Sequence, residues 1–293
     1  MLASLGAELL KLRRRPSTWV LPLIWLAIIV FLNYALTYTL LSNVPPPTFP
    51  EGTPKHQQER VREQQEQFQE QQLRSLYPEN LVQNLIPGYS SVGAPIALIL
   101  GALAVGSEYG WATFKTILTQ RPGRSALFLG KLLALGVILA LLVALTFATG
   151  AASSLVVAAL SGGPTTGPPL GEFLRALGAG FLILAVWASL GVLLSTLLRS
   201  TALSVGLGLV YSLVLEAVIF NLPINSESFT NARRFFPGQN SSSLADSFSA
   251  QSSAGFTPQA PQIDAAQSTL VLLAYTAAFV VLATLVFRHR DVE

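Results

Sequence analysis

Six apolar runs, separated by polar stretches of very different length, set the pattern of this chain. They cover residues 18–42, 91–107, 126–155, 173–198, 201–221 and 268–287. A helix of about 20 residues, at ~1.5 Å rise each, crosses a ~30 Å hydrocarbon core. The pattern therefore predicts an all-α membrane protein with six transmembrane helices, forming a single transmembrane domain over residues 1–293. The third run stays apolar as far as Leu160, too long for one perpendicular span, so a break is expected near Gly150–Ser154. Lys131, alone in that run, is expected to snorkel to an interface. In the second span Gly93, Ala97 and Gly101 recur at every fourth position, a spacing that lets helices approach closely in lipid.

The polar stretches carry their own patterns. Residues 1–16 alternate as an amphipathic basic helix, with Leu2, Leu5, Leu9 and Leu12 on one face and Ser4, Glu8, Lys11 and Arg15 on another. Such a helix lies in the membrane interface, although a plain basic flank has the same composition. Pro16 ends or kinks it. Residues 44–90 form a first polar insertion, opening on Pro45, Pro46 and Pro47 and continuing as KHQQERVREQQEQFQEQQLRSLY, which predicts an exposed helix outside the bilayer. Residues 161–171, SGGPTTGPPLG, are a loop, and Arg199-Ser200 is a tight turn. Residues 222–266, rich in Ser, Gln and Pro, form a second polar insertion.

Only 11% of the chain is charged, against 51% hydrophobic, which excludes an ordinary soluble domain. Charge placement sets the orientation. With the N-terminus in the cytoplasm, eleven of the eighteen Lys and Arg fall on the inner side, crowded at helix ends where the positive-inside rule is strong. Six spans with both termini cytoplasmic follow, in the inner or plasma membrane of the cell, and both polar insertions are extracytoplasmic. The absence of Cys removes thiol catalysis and Cys-based metal sites. Two lone His residues make no metal site, and neither a phosphate-binding loop, an H-E-x-x-H nor a G-x-S-x-G is present. No catalytic and no metal residue is therefore assigned, and the chain binds no cofactor of its own.

Two features remain. Residues 108–124 are a cytoplasmic amphipathic piece, with Trp111, Phe114, Lys115 and Leu118 on one side and an Arg121-Pro122-Gly123-Arg124 turn at its end. An interfacial loop helix with a Trp anchor has the same appearance. Glu108 heads the piece, as a helix N-terminal acid or a salt-bridge partner. Glu216 is an acid inside the fifth span. Such a residue is costly, and it is either wet at the outer interface, paired with a neighbour such as Arg175, or part of a translocation path with Trp187 and Tyr211.

The stretch EYGWATFKTILTQRPGRSALFLGKLL (108–133) resembles the signature region of ABC-2-type permeases, the membrane subunits of one class of ATP-binding-cassette transporters. The matching residues are Glu108, Gly110, Phe114-Lys115, Ile117-Leu118, Arg121-Pro122-Gly123-Arg124 and Gly130-Lys131. The basic N-terminal helix and the polar insertion between the last two spans agree with it, whereas the Gln-rich insertion is not a general feature of the family. The resemblance implies that 108–124 is a coupling helix docking into a separate cytoplasmic ATPase subunit, which holds ATP and Mg. Glu108, Trp111, Phe114, Lys115, Leu118, Arg121 and Arg124 are its contact residues. It further implies a second permease copy, a homodimer before a heterodimer, in the lipid membrane and without nucleic acid. Sparse intramembrane charge points to export of a hydrophobic or amphipathic cargo such as a lipid, peptide or drug-like molecule. The alternative is a non-transport scaffold or sensor that binds partners through its outer segments.

Overall fold

A computed structural model of the chain describes residues 16–50, 52–110, 124–221, 231–248 and 263–289, together with Gly6, Glu8, Leu10, Lys11 and Arg14. The described residues are helical with connecting loops and contain no strand. Five helices are long and apolar enough to cross a membrane: α1 (Pro16–Ser42), α3 (Pro78–Glu108), α4 (Arg124–Ser161), α5 (Leu170–Leu198) and α8 (Ala265–His289). A polar helix α2 (Lys55–Ser75) joins α1 to α3 and buries no residue. Between α5 and α8 lie the apolar helix α6, starting at Thr201, and the short helix α7 (Pro237–Asp246). Six spans are expected from the sequence; five helices have the length of a crossing, and the apolar part of α6, Thr201–Leu215, is shorter than these.

Three of these helices carry π-helical turns. In α1 the buried positions Thr18, Pro22, Trp25 and Ile29 follow helical spacing, and the next is Tyr34. The π-helical stretch Ile29–Leu36 adds a residue to the turn and so keeps Tyr34 on the buried face. In α3, Pro87 lacks the amide that an uninterrupted helix requires, and a π-turn follows at Tyr89–Gly93. The hydroxyls of Ser90 and Ser91 donate to the Pro87 carbonyl at 3.0 and 3.2 Å. α6 is α-helical over Thr201–Leu209, π-helical over Val210–Leu215 and α-helical again over Glu216–Asn221.

Two helix limits differ from the sequence reading. The second span is expected to start at residue 91, yet its helix begins at Pro78, and Leu81, Val82, Leu85 and Ile86 are buried. The Pro87-Gly88 pair lies within this helix and does not stop it, and the Trp25 ring packs where a side chain on Gly88 would collide. The break expected near Gly150–Ser154 does not occur; α4 is continuous to Ser161. Gly150 instead leaves room for the Leu85 and Leu81 side chains, so it serves packing and not flexibility.

The core is built on the crossing of α3 with α5, the most closely packed pair. A methyl group on Gly101 would overlap the Ala188 carbonyl, and one on Gly191 would overlap the Leu98 carbonyl. Backbone thus meets backbone, as small residues permit between helices in lipid. The Ser195 hydroxyl donates to the Ala102 carbonyl at 3.0 Å across the same contact. On the other side of α3, Trp25, Tyr89, Phe147 and Phe173 form a chain of ring contacts with centroids 5.9, 6.1 and 5.3 Å apart. The Trp25 indole N–H donates to Thr146 Oγ1 at 2.8 Å, which satisfies a donor that would otherwise be buried unpaired. The α5–α6 turn is sharp because Arg199 takes a left-handed conformation (φ 51°) and Ser200 caps α6 through Leu203 N–H.

Candidate functional site

The end of the bundle nearest the N-terminus holds a cluster of four charges, three of them buried and the fourth, Lys11, partly exposed. Glu108 lies in the last turn of the helix that forms α3, which runs on to Gly110, Lys131 lies in the second turn of α4, and Glu8 and Lys11 come from the N-terminal helical residues. Lys131 Nζ is 2.9 Å from Glu8 Oε1 and also bonds Glu108 Oε1. Lys11 donates to the same Glu108 oxygen, and its ammonium lies 4.0 Å from Glu8. Glu108 and Lys131 are 1% and 2% exposed, so both would be costly alone. The cluster is neutral in sum: two carboxylates face two ammonium groups. Glu108 also stands at a helix C-terminus, where the helix dipole disfavours an acid, and the two ammonium groups offset this.

The structure thereby separates two roles that the sequence leaves open. Glu108 is an ion-pair partner at the end of α3. Lys131 does not snorkel, because its ammonium is held inside by two carboxylates. Glu8 is not among the site residues that sequence reasoning assigns. Its only sign is an acid within a basic segment, and its partner is 123 residues away. Of the other coupling residues, Arg124 is the first residue of α4, whereas Trp111, Phe114, Lys115, Leu118 and Arg121 lie outside the described residues.

The second group, Trp187, Tyr211 and Glu216, does come together. Trp187 and Tyr211 have ring centroids 6.1 Å apart, and the Trp187 indole N–H donates to Ser241 Oγ of α7 at 3.3 Å. Glu216 is 3% exposed and lies against the first turn of α7, facing the amides of Gly238 and Gln239 and the Tyr211 phenol. It is neither wet nor paired with Arg175, which is exposed. α7 itself is not legible in PGQNSSSLAD, a string of poor helix formers. Pro237 sits at a helix start, where a missing amide costs nothing, and tertiary contacts bury Gln239, Asn240, Ser241, Leu244 and Ala245. Asn240 Nδ2 donates to the Arg234 and Phe236 carbonyls at 2.8 Å, tying α7 to the segment before it.

A multi-pass bundle of apolar helices, with its buried charges neutralised at one end and an acid under a short polar helix elsewhere, defines the class as a helical membrane protein. Comparison with protein families matches residues 2–292 to the ABC-2 family transporter proteins. The chain belongs to this family, the membrane permeases of ABC transporters, which work with a separate ATPase subunit. No match is found among the curated proteins.

Proposed function

We propose that the chain is the permease of an exporter for a hydrophobic or amphipathic cargo, working as a homodimer over two cytoplasmic ATPase subunits. In this reading α6 is the sixth span, both termini are cytoplasmic, and residues 108–124 form the coupling helix. The supporting observation is the charge cluster at the root of that segment. Glu108, its first residue, is bonded to Lys131 of α4 and to Lys11 of the N-terminal segment. A push on residues 108–124 is therefore transmitted to three chain segments at once, through contacts too costly to break singly. Trp111 and Phe114 are the anchors that the ATPase grips, since aromatic residues dominate interface energetics.

The test is the double substitution Trp111→Ala/Phe114→Ala in the complex purified from membranes. The expected result is loss of the ATPase subunit on affinity purification and loss of cargo-stimulated ATP hydrolysis. An intact, fully stimulated complex overturns the coupling assignment.

A further inference from the structure

The buried charges of this chain are treated unequally. Among the described residues, buried Glu8, Glu108 and Lys131 are held in one ion-paired cluster, whereas buried Glu216 has no ion pair. Neither of its carboxylate oxygens has a hydrogen-bond partner of normal geometry there. Its surroundings are aromatic: Tyr211 lies beside it, Trp187 packs on Tyr211 with ring centroids 6.1 Å apart, and Tyr275 of α8 is within electrostatic reach. What faces the acid is the N-terminus of α7, the positive end of a helix dipole, at Gly238 and Gln239. The approach is so close that a methyl group on Gly238 would collide with the carboxylate.

A carboxylate among aromatic rings is the chemistry that recognises an organic ammonium or phosphonium ion. The acid supplies the charge, and ring faces attract the cation and its apolar substituents. We infer that Glu216, with Trp187 and Tyr211, is a binding site for amphipathic organic cations, and that the first turn of α7 occupies it when no cation is bound. The two occupants exclude each other, because Gly238 leaves no space between α7 and the acid. Cation binding therefore displaces α7. This site rests on the permease reading above and narrows its cargo to positively charged molecules.

The chain has no Cys, so a single introduced thiol reports on α7 without background. Ala245, fully buried on α7, is changed to Cys, and the permease is placed in lipid nanodiscs without its ATPase. Tetraphenylphosphonium is the probe, and uncharged triphenylphosphine oxide the control. The cation is expected to bind and to speed maleimide labelling of the Ala245→Cys protein several-fold, while the control does neither. In the same background Glu216→Gln is expected to weaken cation binding at least tenfold and to abolish the labelling response, whereas Glu216→Asp retains both in part. Equal cation affinity in Glu216→Gln, or binding without faster labelling, overturns the inference. Should Glu216→Gln fail to fold, the labelling response in the chain with Glu216 intact decides alone. Because no ATPase is present, failure here leaves the coupling assignment standing, and the Trp111→Ala/Phe114→Ala result leaves this site standing.

Discussion

Lys131 shows how a single side chain can look costly and be a fastener. Its side chain is 2% exposed, and its ammonium meets Glu8 and Glu108. Lys131→Met removes one cation and leaves two buried carboxylates sharing Lys11. The expected loss is about 3–5 kcal/mol, the usual cost of breaking a buried pair by deleting one partner. Replacing all four together, Glu8→Gln, Lys11→Met, Glu108→Gln and Lys131→Met, is expected to cost much less, since no uncompensated charge remains. Thermal unfolding of the purified permease in detergent checks both, and equal losses in the two proteins would remove the cluster as a unit. The sequence reveals the individual charges but not this arrangement. A lone Lys in an apolar run has the same local pattern whether it snorkels or pairs, and what decides is a Glu more than a hundred positions away. Trp25 and Thr146 are the same case, hydrogen-bonded across 121 residues.

Among the helices, legibility follows the reach of the pattern. Hydropathy runs expose α1, α4, α5 and α8, because a continuous apolar stretch needs no partner to be recognised. The small-residue repeat in α3 is equally legible, and Gly101 sits at the backbone contact with α5. The π-turns and α7 are not, because packing creates them: a register shift in α1 exists to keep Tyr34 inside, and α7 is held by burial rather than by propensity. Glycines in these helices divide by what surrounds them. At Gly191 an added side chain meets the Leu98 carbonyl, and backbone cannot yield as a side chain can. Gly191→Val is expected to destabilise by about 1–3 kcal/mol through overpacking. Gly136 has nothing within 4 Å of an added methyl group, so Gly136→Ala is expected to be neutral or stabilising by up to about 1 kcal/mol. Paired melting curves of the two variants separate these outcomes, and a neutral Gly191→Val would mean that the α3–α5 crossing is looser than described.

For the whole molecule the open quantity is the number of crossings, and it turns on α6. Its 21 residues from Thr201 to Asn221 reach about 32 Å at helical rise, enough for a hydrocarbon core, but Glu216 interrupts the apolar run. With α6 crossing, the loop between α4 and α5 and the segment before α7 lie on the outer side, and the C-terminus shares the inner side with the N-terminus. Without it, the parity changes: the segment before α7 stays inside and the C-terminus emerges outside. Single Cys reporters at exposed Thr165, Asn231 and His289 distinguish the two in a chain that has no Cys of its own. In intact cells a membrane-impermeant maleimide is expected to label Thr165→Cys and Asn231→Cys and to spare His289→Cys until the membrane is opened. Labelling of His289→Cys with protection of Asn231→Cys would establish five crossings. That outcome would also put Glu216 and α7 on the cytoplasmic side, so the cation site would receive cargo at entry rather than release it at the exit.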